Sequence, residues 1–122
     1  MKSVRLERLD SEFQKLIYNG LKYDLNIVGI TEMFSVTGVD SAPDLKTAKV
    51  YISVYSTDKE KKQKTFSAIA SASAQIRRYV ASKMHIKYVP EFTFLSDDAL
   101  EYGNKIDKIL STLTYSDNNE DN

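Results

Sequence analysis

The stretch from Thr65 to Asp98, TFSAIASASAQIRRYVASKMHIKYVPEFTFLSDD, leaves this chain the fewest choices of fold. Phe66, Ile69, Ser73, Ile76, Val80 and Met84 recur at steps of three or four residues, which sets them on one face of a helix. Within that face, Ala70-Ser71-Ala72-Ser73-Ala74 is too small to fill a core by volume and suits a bend or a close approach of backbones. Ser56-Thr57-Asp58 offers capping oxygens, so the helix starts near Asp58 or Lys59 and runs to about Met84, with a break expected near Ala72–Ala74. Pro90 then ends the helical option and biases Val89 toward an extended shape. Phe92 and Phe94 alternate with Thr93 and Leu95 as a strand.

Two strand-like runs precede the helix. ITEMFSVTGV is rich in β-branched and aromatic residues, with its alternation blurred by Gly38. TAKVYISVY is cleaner: Ala48, Val50, Ile52 and Val54 alternate with Lys49, Tyr51, Ser53 and Tyr55, giving one buried and one more polar face. DSAPDLK between the runs has the turn chemistry of a connection between antiparallel neighbours. Residues 3 to about 22 read as a first helix, from Val4, Leu6, Leu9, Phe13, Leu16, Ile17 and Leu21. Asn19-Gly20 is a candidate stop, because both residues tolerate left-handed conformations.

At the other end, Asp98-Ala-Leu-Glu101 has the spacing of a capping box and predicts a short helix through Leu110. Gly20, Gly29 and Gly38 are evenly spaced, but the residues between them do not repeat. The expected order is helix, strand, strand, helix or helix pair, strand, helix. That is an α+β domain with one small three-stranded sheet covered by helices. A chain of 122 residues fits a single domain, expected over 1–113 with a disordered acidic tail over 114–122.

Cysteine is absent, so neither a disulfide framework nor a thiolate metal site can form. No apolar run approaches the ~18 residues of a membrane span. The opening MKSVRLERLDSEF lacks the apolar core of a signal peptide. These features lead us to expect a soluble, cytoplasmic protein with no membrane association. The net charge is zero, but it is polarised: Lys59–Lys87 holds eight Lys/Arg against one acid, +7, which leaves −7 on the remainder. Such a segment makes a local positive field suited to a polyanion, although lysines that merely solvate a helix face give the same count.

Three segments carry a family resemblance: SAPDLKTAKVYISV, ASAQIRRYVASKMHIKYVPEFTF and DDALEYGNKIDKIL. In order and spacing they resemble ribosome-binding factor A, a bacterial assembly factor of the small ribosomal subunit, over about residues 3 to 113. The resemblance implies a type II KH-like αββααβ domain without a GxxG loop, and no GxxG occurs in the chain. It also implies an Ala-x-Gly bend between two helices; the matching triplet here is Ala72-Ser73-Ala74, with alanine in the glycine's place. Either the bend survives through Ser73 and close packing, or the helix is straighter than in the family. The family is commonly basic, whereas this chain is neutral. Asp117, Glu120 and Asp121 in the tail account for three acidic units, and residues 1–113 carry a net +3 (17 basic, 14 acidic).

The function implied by the resemblance is binding to the immature 30S subunit and its precursor 16S ribosomal RNA. The factor would assist late maturation, including processing of the 5′ end, as a monomer and without catalysis. A GTPase is an implied candidate partner for release. Candidate RNA contacts are Arg77, Arg78, Lys83 and Lys87, then Lys61, Lys62 and Lys64, then Arg5 and Arg8.

Arg77 and Arg78 leave a helix about 100° apart, so one can face RNA while the other packs toward the core edge. For Arg77 the structural alternative is an ion pair with Glu91 or Asp97. His85 is the sole histidine and has no second His or Cys with which to build a metal or catalytic site, so packing or a simple contact is expected. Asp97-Asp98 reads as helix-capping rather than a catalytic pair. Tyr51 and Tyr55 share a strand face on which bases could stack unless a helix covers it. No cofactor, catalytic triad or nucleotide loop is indicated. The rival to RNA binding is a protein-interaction module that docks a partner helix on its small-residue face.

Overall fold

The computed structural model describes residues 2–97. The expected helix Asp98–Leu110 and the tail 114–122 lie outside them. Chain order is α1 (Val4–Asn19), β1 (Met33–Ser41), β2 (Thr47–Tyr55), α2 (Lys59–Ser71), α3 (Ser73–Lys83) and β3 (Glu91–Ser96). This is the αββααβ order implied by the resemblance. The sheet order is β1-β2-β3, with β1 antiparallel and β3 parallel to β2.

β2 spans the nine residues whose period-two pattern marks it in the sequence, and Ala48, Val50, Ile52 and Val54 are all buried. In β1 the pairing slips one residue between Val36 and Gly38, so Thr37 is the extra residue of a bulge. The blurred alternation around Gly38 is this bulge. Phe34 and Val36 on one side of it and Ser41 on the other therefore all face inward.

Phe13 and Ile17 from α1, Ile69 from α2, and Ile76 and Val80 from α3 are fully buried against the inward side of the sheet. Each such side chain contributes about 1.5–3 kcal/mol relative to an exposed one. The Phe13 ring meets Phe92 of β3 edge-on, with centroids 5.6 Å apart. Among the described residues, the helices all pack on this one side. The Tyr51 and Tyr55 side of β2 is left half-buried to exposed.

Two expectations about α1 and the helix pair need restating. The α-helical part of the first helix ends at Asn19, as the Asn19-Gly20 pair suggests, but without a left-handed cap. Gly20 has helical angles (φ −61°, ψ −48°), and the chain adds one π turn over Gly20–Asp24. The left-handed residue comes later, at Asn26 (φ 51°). Gly20 is required by proximity instead: a Cβ there would lie 2.9 Å from Cδ2 of Tyr79.

The long helix does break, at Ala72, whose φ of −88° and ψ of 9° interrupt the α2–α3 path. Ser73 holds the bend, its hydroxyl donating to the Phe92 carbonyl of β3 at 2.8 Å. Ala74 already lies inside α3, so the bend forms without a glycine.

Candidate nucleic-acid interface

α1 runs antiparallel to β1, and its N-terminal half is bolted to the end of that strand by a buried carboxylate. Asp10 accepts hydrogen bonds from the Ser41 amide (3.1 Å), the Ser41 hydroxyl and the Lys2 ammonium. Lys2 also pairs with Asp40. Burial disfavours the Lys2 ammonium, but hydrogen bonds to Asp10 and Asp40 and their charges outweigh it and raise its pKa. The bolt places the turn 42–46 beside the first turns of α1.

The segment that leaves α3 returns to the same end of the sheet, where Glu91 donates its amide to the Lys46 carbonyl (3.0 Å). Arg77 secures this return: Nε and Nη2 both donate to the Val89 carbonyl, at 3.1 and 3.0 Å. Its structural partner is thus a backbone carbonyl, not Glu91 or Asp97.

These three segments enclose a groove of about 740 Å³ that is lined by Arg5, Arg8 and Glu12 of α1, Asp44 and Leu45 of the turn, and Ile86, Lys87 and Tyr88 after α3. Arg5, Arg8 and Glu12 are spaced at helical steps and so share one face of α1. Leu45, which lines the groove, has a φ of 59°, uncommon for a bulky residue. Three of the expected RNA contacts, Arg5, Arg8 and Lys87, are thereby brought together from opposite ends of the described chain.

The other candidates stand elsewhere. Lys83 places its ammonium 5.5 Å from the Tyr79 ring centre, and Lys87 lies 5.3 Å from that of Tyr88. Arg78 is exposed. Lys61, Lys62 and Lys64 lie in the first turns of α2, whose N-terminus Asp58 caps through bonds from the Glu60 and Lys61 amides. Lys62 lines a separate hollow with Val54 and Ser96, at the far end of the sheet from the Thr47–Glu91 pair. Lys64 pairs with Glu60 at 3.1 Å, both exposed, an interaction worth a few tenths of a kcal/mol.

His85 is exposed rather than packed, and no cluster of metal-ligating side chains occurs among the described residues. Asp97 accepts from the Thr37 hydroxyl of the bulge at 3.0 Å, while Asp98 lies outside the described residues. The groove's key positioning group, Asp10, carried a signal that the sequence reading passed over: a carboxylate on the otherwise apolar Leu6–Phe13–Ile17 stripe.

The small-residue face is only partly covered within the chain: Ser71 and Ala74 are exposed, and Ser71 lines a hollow with Val28 and Gln75. The connector after α1 lies against it, so that a Cβ at Gly29 (φ 101°) would come within 3.0 Å of the Ala68 Cβ. Ala72 is buried in the core.

The family model for ribosome-binding factor A matches residues 5–110. The ribosome-binding factor A of Clostridium botulinum (strain Eklund 17B / Type B) is 36% identical over 110 residues, 90% of this chain and 95% of that protein. A Thermotoga maritima protein assigned as a ribosome binding factor A, solved by NMR, superposes with a TM-score of 0.66 at 25% identity, covering 78% of this chain and 89% of that one. Thermus thermophilus ribosome binding factor A, as fitted into the cryo-EM map of a 30S complex, has the same fold, with a TM-score of 0.56 at 14% identity, covering 74% of this chain and 92% of that one. With the KH-like fold and a match that spans nearly all of both sequences, the chain belongs to the ribosome-binding factor A family.

Proposed function

We propose that this chain binds the small ribosomal subunit through its 16S ribosomal RNA and assists late maturation of that RNA, including processing of the precursor's 5′ end, without cutting it. The observation that carries the reading is the convergence of Arg5, Arg8 and Lys87 on one groove, in a chain of this family. The Thermus thermophilus relative in a 30S complex supports the same partner. A rigid domain that prefers one arrangement of RNA shifts the RNA toward that arrangement. Arg78 and Lys83 extend the contact along α3. A monomer in the cytoplasm, released with the help of a GTPase, completes the reading. The rival, a partner helix docked on the small-residue face, would have only Ser71 and Ala74 exposed to it in the run 70–74, with Ala72 buried and the connector close to Ala68.

The test is gradient sedimentation from cells, followed by charge reversal at Arg78, Lys83 and Lys87. The expected result is comigration with free small subunits, lost in the folded triple variant. Uniform distribution of the wild-type protein through the soluble fractions overturns the reading. Comigration unchanged in the variant overturns the α3 contact.

A further inference from the structure

We infer that the groove between α1, the turn 42–46 and the segment after α3 is a subsite for one unpaired RNA base, flanked by phosphates held by Arg5, Arg8 and Lys87. The inference rests on the RNA-binding reading above and assigns a chemistry to one part of it.

The groove is divided in a way that a phosphate clamp alone does not require. Leu9, Leu45 and Ile86 are half-buried, pack against the core and make an apolar floor. Tyr88 stands at the rim with 67% of its surface exposed, far more than a packing role needs. The Lys87 ammonium lies over one face of that ring at 5.3 Å, which places a cation beside a largely exposed aromatic side chain.

Charge supplies the second half of the argument. Arg5 and Arg8 stand one helical turn apart on α1, matched to a polyanion that crosses the helix. Glu12 continues the same face and Asp44 faces it from the turn, where its carboxylate accepts the Lys46 amide at 3.0 Å. Carboxylates repel phosphate and accept from the amino and imino groups of bases. Phosphate is thus directed to Arg5, Arg8 and Lys87, and the base edge to Glu12 and Asp44. A duplex keeps its bases stacked and paired, so only a single strand can fill the floor.

The test uses the full chain and a fluorescently labelled oligoadenylate, measured by anisotropy as a single strand and as a duplex of equal phosphate number. Tyr88→Ala is expected to weaken single-strand binding about 5- to 100-fold, the loss seen for one stacked base. Tyr88→Phe, which keeps the ring, should bind within about twofold of wild type, and neither change should alter the salt slope or duplex binding. Arg5→Ala and Arg8→Ala should each flatten the single-strand salt slope by about 0.7. Equal losses for Tyr88→Ala and Tyr88→Phe, or equal losses on single strand and duplex, overturn the base subsite. A wild-type protein that sediments with small subunits yet does not distinguish single strand from duplex also overturns it, and leaves the small-subunit reading standing. Failure to sediment with small subunits sinks that reading instead.

Discussion

The bend at Ala72 can be tested by a pair of substitutions whose signs are set by the geometry. Ser73 donates to the Phe92 carbonyl at 2.8 Å from a half-buried position, a bond worth about 0.5–1.5 kcal/mol net. Ser73→Ala removes it but gains about 0.5 kcal/mol of helix propensity at the start of α3. Because the Phe92 carbonyl is left short of a donor in a half-buried site, the upper part of the bond's range applies, and the expected loss is about 0.5–1 kcal/mol. Ala74 is exposed and lies within α3, beyond the irregular residue, so Ala74→Gly relieves no strain there. It costs about 0.5–1 kcal/mol of backbone entropy. With a urea slope of about 1–1.5 kcal/mol/M for a small domain, each variant should lower the unfolding midpoint by about 0.3–1 M. Equilibrium urea unfolding followed by circular dichroism reads both. A midpoint that rises in Ala74→Gly would refute the reasoning, since it would show that residue 74 strains the bend and that glycine is preferred there. No change in Ser73→Ala would show that packing, not the hydroxyl, sets the angle.

Asp10→Ala should cost about 3 kcal/mol by leaving the Ser41 groups without their acceptor and Lys2 with Asp40 alone; thermal unfolding checks this, and a loss below about 1 kcal/mol would mean that water replaces the carboxylate. The Tyr79 hydroxyl is pushed up to about 12 by its hydrogen bond to the Asp24 carboxylate, with burial and the carboxylate's charge adding to it. Its folded pKa is raised, so its contribution is present below pH 10 and is lost as pH rises from 10 to 12. Allowing for solvent screening, Tyr79→Phe should remove about 1 kcal/mol at neutral pH and fall less steeply than wild type across that window. Parallel curves for the two proteins would exclude the Asp24 bond as the cause.

The local elements were legible wherever a period of two or of three to four ran unbroken. β2 is the clearest instance, because alternation alone decides which side of a half-buried strand is apolar. The α2 start was legible through Asp58, since a capping oxygen acts on amides two and three residues away. Asn19-Gly20 marked where the α-helical part of α1 ends, but not how the chain continues, because the pair permits a left-handed stop without demanding one. Tyr79, far along the chain, decides that Gly20 is there for room.

The sequence by itself determined that a helical run must end before Pro90 and deliver the chain into β3, while the bend within that run was decided by the tertiary structure. It also determined that positive charge is concentrated between Lys59 and Lys87. Only the tertiary structure decided which of those charges act together. Arg77, though exposed, is tied to the Val89 carbonyl, and Lys62 went to the far end of the sheet. Lys87 joined Arg5 and Arg8, which had looked peripheral. Periodicity reports what a residue's near neighbours do. A groove between residue 5 and residue 88 depends on the sheet register and on the Asp10 bolt, which act between segments that no local pattern connects.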